Sequence, residues 1–71
     1  MIDWFESPES STIVRVGHDD ESQLLIVEFK TTGVYHYYDV PQHVFEAMRS
    51  ASSRGQFLAQ EVKNRYRYAR A

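Results

Sequence analysis

The sequence predicts an α+β domain: a three-stranded antiparallel β-meander followed by two α-helices packed on one face of the sheet. Three observations carry this. β-branched and aromatic residues gather in three short runs between Thr12 and Val40, a composition that favours strands. Two turn-forming stretches separate those runs. After Pro41 the apolar spacing changes to a helical period near 3.6 residues.

Residues 1–10 read as an irregular lead-in ending Glu6-Ser7-Pro8-Glu9-Ser10, and residues 11–71 as the single domain. Trp4 and Phe5 are too apolar for a free tail and are expected to dock on the body. Residues 12–16 are dominated by β-branched side chains and form the first strand. Gly17-His18-Asp19-Asp20-Glu21-Ser22 supplies turn formers and charge, and reads as a hairpin connection. Residues 24–29 are apolar at nearly every position, so both faces of this second strand are expected to be covered and the strand to be central. Lys30-Thr31-Thr32-Gly33 is a second short turn, with Gly33 free to take positive φ. The third strand, 34–40, is rich in tyrosine.

Pro41 suits the first helical position, where its missing N–H is no loss. Val44, Phe45, Met48 and Ala51 then share one stripe of a helix over 42–51. Ser53 with Gln56 has the form of a capping box that opens a second helix. That helix is expected to reach Tyr66 or Tyr68, with Phe57, Leu58, Val62 and Tyr66 inward. Gln56, Gln60, Lys63 and Arg67 would then share its outward face. Ile26 and Phe57 are assigned to the core.

A chain of 71 residues has too little interior for two cores. It holds no cysteine, so neither a disulfide nor a Cys-based zinc site can support it. Stability must come from burial, to which aromatics at 14% of the chain contribute generously, or from a homodimer. The missing cysteines fit a reducing cytoplasm. Met1-Ile2-Asp3-Trp4-Phe5 leads into Glu6 without the basic and apolar segments of a secretory signal. The longest apolar run, 24–27, is far too short to cross a bilayer. The expectation is a soluble cytoplasmic protein with no membrane partner.

The net charge of −2 hides a polarised chain: residues 1–46 carry −7, with nine acids and two bases, whereas residues 47–71 carry +5, with six bases and one acid. Such asymmetry marks a polyanion-binding end or pairs the two halves internally.

Val34-Tyr35-His36-Tyr37-Tyr38-Asp39-Val40-Pro41 places Tyr-x-Tyr in a short strand, then Val-Pro, then an amphipathic helix. Ser10-Ser11 precedes the first strand, and Ala51-Ser52-Ser53-Arg54-Gly55-Gln56-Phe57 joins the helices. With the basic end Val62-Lys63-Asn64-Arg65-Tyr66, this order of motifs resembles the KTSC domain family. That family is named for its occurrence at the C-terminus of some lysyl-tRNA synthetases, and it also exists as stand-alone bacterial proteins. The resemblance runs from about Ser10 to Arg70 and implies a small domain suspected of binding RNA. The chain departs from the family at Ala59, where an Asn is usual, and at Arg67, where a Pro is common.

The candidate chemistry points to binding and not to catalysis. His18 beside Asp19 and Asp20 reads as a solvated turn, His36 points away from its flanking tyrosines, and His43 lies exposed in a first helical turn. Zinc needs about four well-spaced ligands, so no metal or other cofactor is expected. Ser10, Ser11, Ser52 and Ser53 lack a recognisable base, and Ser52 and Ser53 are better explained as helix caps. Gly17, Gly33 and Gly55 are isolated and make no phosphate loop. A metal-dependent nuclease on Asp39 and Glu46 is the remaining catalytic alternative.

Tyr35 and Tyr37 share one face of their strand. They either lie open, as base-stacking rings do in RNA-binding sheets, or belong to the core with hydroxyls at the rim. Lys63, Arg65, Arg67 and Arg70 interleave with Tyr66 and Tyr68. That segment either contacts phosphates or is a solvated helix end that meets the negative end of the dipole. The candidate single-stranded nucleic-acid site is therefore Tyr35, Tyr37, Arg54, Lys63, Arg65, Tyr66 and Arg67. Two other classes stay open: a protein-interaction or homo-oligomerisation module using the open sheet face with Trp4 and Phe5, and an enzyme or nucleotide-like ligand pocket.

Overall fold

Five antiparallel strands, not three, make the sheet. The structure, a computed structural model, describes all 71 residues. Its elements are β1 (Ile2–Glu6), β2 (Ile13–Asp19), β3 (Leu24–Phe29), β4 (Gly33–Tyr37), α1 (Gln42–Ser50), α2 (Arg54–Phe57) with a π-helical continuation (Leu58–Val62), and β5 (Tyr68–Arg70). The strands lie in sequence order, β1-β2-β3-β4-β5. β3 is central, as its unbroken apolar run requires. No helix is long and apolar enough to cross a membrane.

Both additional strands come from segments assigned otherwise by local pattern. The lead-in is the edge strand β1, paired with β2 in the register Ile2↔Asp19, Trp4↔Gly17 and Glu6↔Arg15. At the other end, the helix does not reach Tyr66. The Lys63 N–H reaches back to the Leu58 carbonyl in a π-type bond of 2.9 Å, and the Arg65 and Tyr66 N–H groups share the Val62 carbonyl. The chain then leaves the helix and pairs β5 with β4: Tyr35↔Arg70, His36↔Ala69 and Tyr37↔Tyr68. Gln56, Gln60, Lys63 and Arg67 consequently share no helical face. The unpaired edge of β4 takes up Tyr68–Arg70, and strand formation by such short segments depends on that kind of partner.

The hairpin from β2 to β3 is also tighter than its polar sequence indicates. Gly17 and His18 lie within β2, and the turn begins only after Asp19. His18 is 2% exposed, so it is no solvated turn residue. Its ring stacks on Phe45 at 5.3 Å, and its Nε2–H donates to the Val40 carbonyl at 2.7 Å. That bond satisfies a polar group that would be costly to bury unpaired. Gly33 takes φ +94°, as its turn demands.

Alternation along the strands gives the sheet two different faces. Val16, Leu25, Val27 and Tyr37 face α1 and the second helical segment, and meet Phe45, Met48, Leu58 and Val62 in the core. Val44, Phe45 and Met48 form the buried side of α1, with Phe45 and Met48 fully covered, and Ala51 is its half-buried, extended C-cap. Ser53 caps α2, its Oγ accepting from the Gln56 N–H at 3.3 Å. Phe57 is half-buried against this core. Ile26 is buried, at 8% exposure, but it points to the opposite face and stands outside that cluster.

On that opposite face, Ile26 lies in one cross-strand line with Trp4, Gly17 and His36. Trp4 lies flat over Gly17: a Cβ there would stand 2.6 Å from the indole. The Arg15 guanidinium covers the same ring at 4.4 Å.

Candidate nucleic-acid site

A cleft of about 1180 Å³ opens where the helical layer stops short of the end of the sheet. Phe29, Tyr35, Tyr37 and Tyr68 line it from the sheet side. Ser7 and Ser10–Thr12 stand on one wall, the α1–α2 link with Ser52 and Ser53 on another, and Lys63 with Asn64 beside them. The first two walls come close together, since a Cβ on Gly55 would lie 3.3 Å from Thr12 Oγ1.

The tyrosines form a ladder across β4 and β5. The Tyr68 ring lies 5.5 Å from Tyr37 and 6.0 Å from Tyr35, and Phe29 meets Tyr35 edge-on at 5.5 Å. These separations suit tilted and edge-to-face aromatic pairs. Tyr35 and Tyr37 thus face the helices. Tyr37 is only 2% exposed and belongs to the core; Tyr35 is half-buried; Tyr68 is 58% exposed. Burial pushes the Tyr37 phenol above its ordinary value of 10.0, with smaller contributions from Tyr68 and Tyr35.

The basic residues divide sharply. Arg54 is a structural clamp. It donates to the carbonyls of Arg49 and Glu6 at 2.8 and 3.2 Å, reaches Ser7 Oγ at 3.5 Å, and stacks over Phe5 at 4.6 Å. Arg49 spans Asp3 at 3.0 Å and Glu46 at 3.5 Å. Arg65 pairs with Glu61 at 3.7 Å, and Arg67 with Asp39 at 3.2 Å, on the exposed surface. The two oppositely charged parts of the chain are therefore joined in part by internal pairs. Lys63 and Arg70 alone among the six bases after residue 46 form no ion pair. Lys63 stands 5.8 Å over the Phe29 ring at the cleft.

Of the seven residues picked out by sequence, the structure brings Tyr35, Tyr37, Arg54 and Lys63 to the cleft. Tyr66 packs against the core, and Arg65 and Arg67 lie outside the cleft lining. The seven leave out Phe29 and the cleft serines Ser11 and Ser52, which the sequence offers only as nucleophiles or caps, and Tyr68, which it places only in the wider basic segment with Arg70. The period-two spacing of Tyr66, Tyr68 and Arg70 was the signal for a strand presenting Tyr68 and Arg70 on one face. Asp39 and Glu46 each face an arginine, and no three His, Asp or Glu side chains gather as a metal-ligand set.

This fold and cleft define a small α+β domain in which a five-stranded meander-like sheet carries two short helical segments on one face. The KTSC domain family matches residues 9–66, and the chain belongs to that family. A small protein from Tsukamurella paurometabola is 41% identical over 59 residues, spanning 83% of this chain and 88% of that protein. A small protein from Stutzerimonas stutzeri is 40% identical, over 87% of this chain and 89% of its own length. The lysine–tRNA ligase of Nostoc punctiforme is 33% identical over 86% of this chain, but the match spans only 11% of the ligase. The crystal structure of a KTSC domain protein from Yersinia pestis superposes with a TM-score of 0.93 at 25% identity, covering 100% of this chain and 99% of that one. Ala59 is exposed and does not line the cleft.

Proposed function

We propose that this domain is a non-catalytic module that binds single-stranded RNA, with an unpaired base resting on the tyrosine ladder of the cleft. One observation carries the reading: the exposed Tyr68 ring, backed by Tyr35 and Tyr37, borders the same cleft as Lys63, a cation without an ion-pair partner. Aromatic faces stack on any base, and a nearby cation neutralises phosphate. Tyr37 supports the ladder from within the core, and Tyr68 supplies the open surface. Arg54 holds the wall in place.

Few free cations imply a shallow salt dependence. If Lys63 and Arg70 each meet one phosphate, log affinity should fall against log salt with a slope of about −1.4, from roughly −0.7 per contact on a single strand. Titration of a labelled single-stranded RNA at low and moderate salt tests this. Tyr68→Ala should weaken binding by about 1–3 kcal/mol with the slope unchanged. Lys63→Ala should flatten the slope. Absence of saturable binding at low salt defeats the proposal.

A second reading, self-association through the open sheet face, is favoured by the exposure of Ile2, Trp4 and Val14 there. Phe5 takes no part in it, because its ring packs on Phe45 at 5.4 Å on the other face. A dimeric mass by light scattering, together with no RNA binding, selects this reading.

A further inference from the structure

We infer that the cleft selects ribose over deoxyribose, with the hydroxyls of Ser11 and Ser52 reading the sugar 2′-hydroxyl. The inference rests on the RNA-binding reading of the same cleft.

The charged side chains lining the cleft are Glu9, Arg54 and Lys63. Arg54 is already committed to Glu6, Ser7 and Arg49 and lies 3.8 Å from Glu9. Lys63 is thus left to meet anionic charge, and most of a bound strand's polar contacts there must be to neutral groups. The neutral polar groups of a nucleotide are base edges and sugar hydroxyls.

The serines separate into two sets. Ser10 Oγ accepts from the N–H groups of Thr12 and Ile13, Ser53 Oγ accepts from Gln56, and Ser7 Oγ meets Arg54. These hydroxyls hold the two walls in shape. Ser11 and Ser52 are exposed, make no hydrogen bond within the chain, and sit one on each of the adjoining walls. A serine hydroxyl both donates and accepts, which matches a 2′-hydroxyl, itself donor and acceptor and the group that distinguishes RNA from DNA. The walls are rigid around them: Lys30 Nζ donates to the Ser10 carbonyl at 2.6 Å, and Arg54 fastens the helix link to the strand segment beneath.

The test compares three short single strands of one mixed sequence, as RNA, DNA and 2′-O-methyl RNA, by fluorescence anisotropy at one low salt concentration. RNA should bind about threefold to tenfold more tightly than either of the others, the range one or two net hydrogen bonds produce. The Ser11→Ala/Ser52→Ala double variant should bind RNA only as well as wild type binds DNA, with its own DNA affinity unchanged. Both serines are exposed, so its melting temperature should match wild type. Equal affinity of wild type for RNA and DNA overturns ribose selection and leaves RNA binding standing. Tight binding of the 2′-O-methyl strand, or equal weakening of RNA and DNA by the double variant, removes the serines from the readout and overturns the inference. If none of the three strands binds, the RNA-binding reading falls and the inference falls with it.

Discussion

The two edge strands are built to opposite plans, although both come from ends of the chain. β1 aligns five residues with β2, and its inward-facing Phe5 lies against the Phe45 ring, with Arg49 and Arg54 stacked over it at 5.6 and 4.6 Å. β5 aligns three residues with β4 and is exposed at every one. Its Tyr68 and Arg70 sit on the helix-bearing face where no helix reaches them. One edge closes the core; the other leaves an aromatic ring at a cleft and a cation outside its lining. Exposed chemistry on a rigid support, without a packing role to explain it, marks the more informative edge for function.

Stability measurements should expose this difference. Phe5→Ala removes a ring shared by the core and two guanidinium groups, and should cost about 2–4 kcal/mol, within the range for large-to-small changes in packed sites. Tyr68→Ala should cost less than about 1 kcal/mol, since the ring it removes is itself exposed and makes only two tilted aromatic contacts. Urea unfolding of both variants checks the order; a Tyr68→Ala loss as large as that of Phe5→Ala would make β5 a structural strand. Between these two falls the effect expected from Gly17→Ala. Its Cβ would lie 2.6–2.8 Å from three indole carbons of Trp4, so the ring must lift, at about 1–3 kcal/mol. In a Trp4→Ala background the same change should be nearly neutral. An equal penalty in both backgrounds would show that Trp4 is not what the glycine accommodates.

The same contrast explains what the sequence made legible. β3, the turn at Gly33, the apolar stripe of α1 and the Ser53 cap all depend on local pattern, and all appear where their residues indicate. β1 was hidden because Trp4 and Phe5 are adjacent apolar residues, which breaks alternation; each faces a different apolar surface, one over Gly17 and one over Phe45. β5 was hidden because Lys63, Arg65, Arg67 and two tyrosines also suit a helix end, and only pairing with a distant strand decides otherwise. His18 looked solvated beside two aspartates, yet the strand continues through it and turns its ring inward. At the site, shared orientation of Tyr35 and Tyr37 followed from period-two spacing. Which face they occupy did not follow, because it depends on where two helices of unequal cover end. The charge asymmetry likewise left open which cations would be neutralised at home, and Lys63 and Arg70 emerge only once Asp3, Glu9, Asp39 and Glu61 are placed in space.

The smallest expected effect separates the core tyrosine from the one on β5. The Tyr37 phenol is raised above 10.0 chiefly by burial, then by Tyr68 and Tyr35. Above pH 10.0 the unfolded chain releases this proton while the folded chain still holds it. The native state then binds more protons than the unfolded one, so stability falls as pH rises. The contribution is fully present below 10.0 and is lost as pH climbs through the raised folded value. Tyr37→Phe removes the ionisation while keeping the ring, so its urea midpoint should decline less steeply above pH 10.0 than that of wild type. Tyr68→Phe leaves the larger cause, burial, in place and removes only the neighbour's charge. Its alkaline decline should therefore stay closer to wild type than that of Tyr37→Phe. Urea midpoints at neutral pH and at two alkaline values, read for all three proteins, test the order. If Tyr68→Phe flattened the decline as much as Tyr37→Phe, the charge on β5 and not burial in the core would govern the titration of Tyr37, and the division between a structural and an exposed tyrosine would fail.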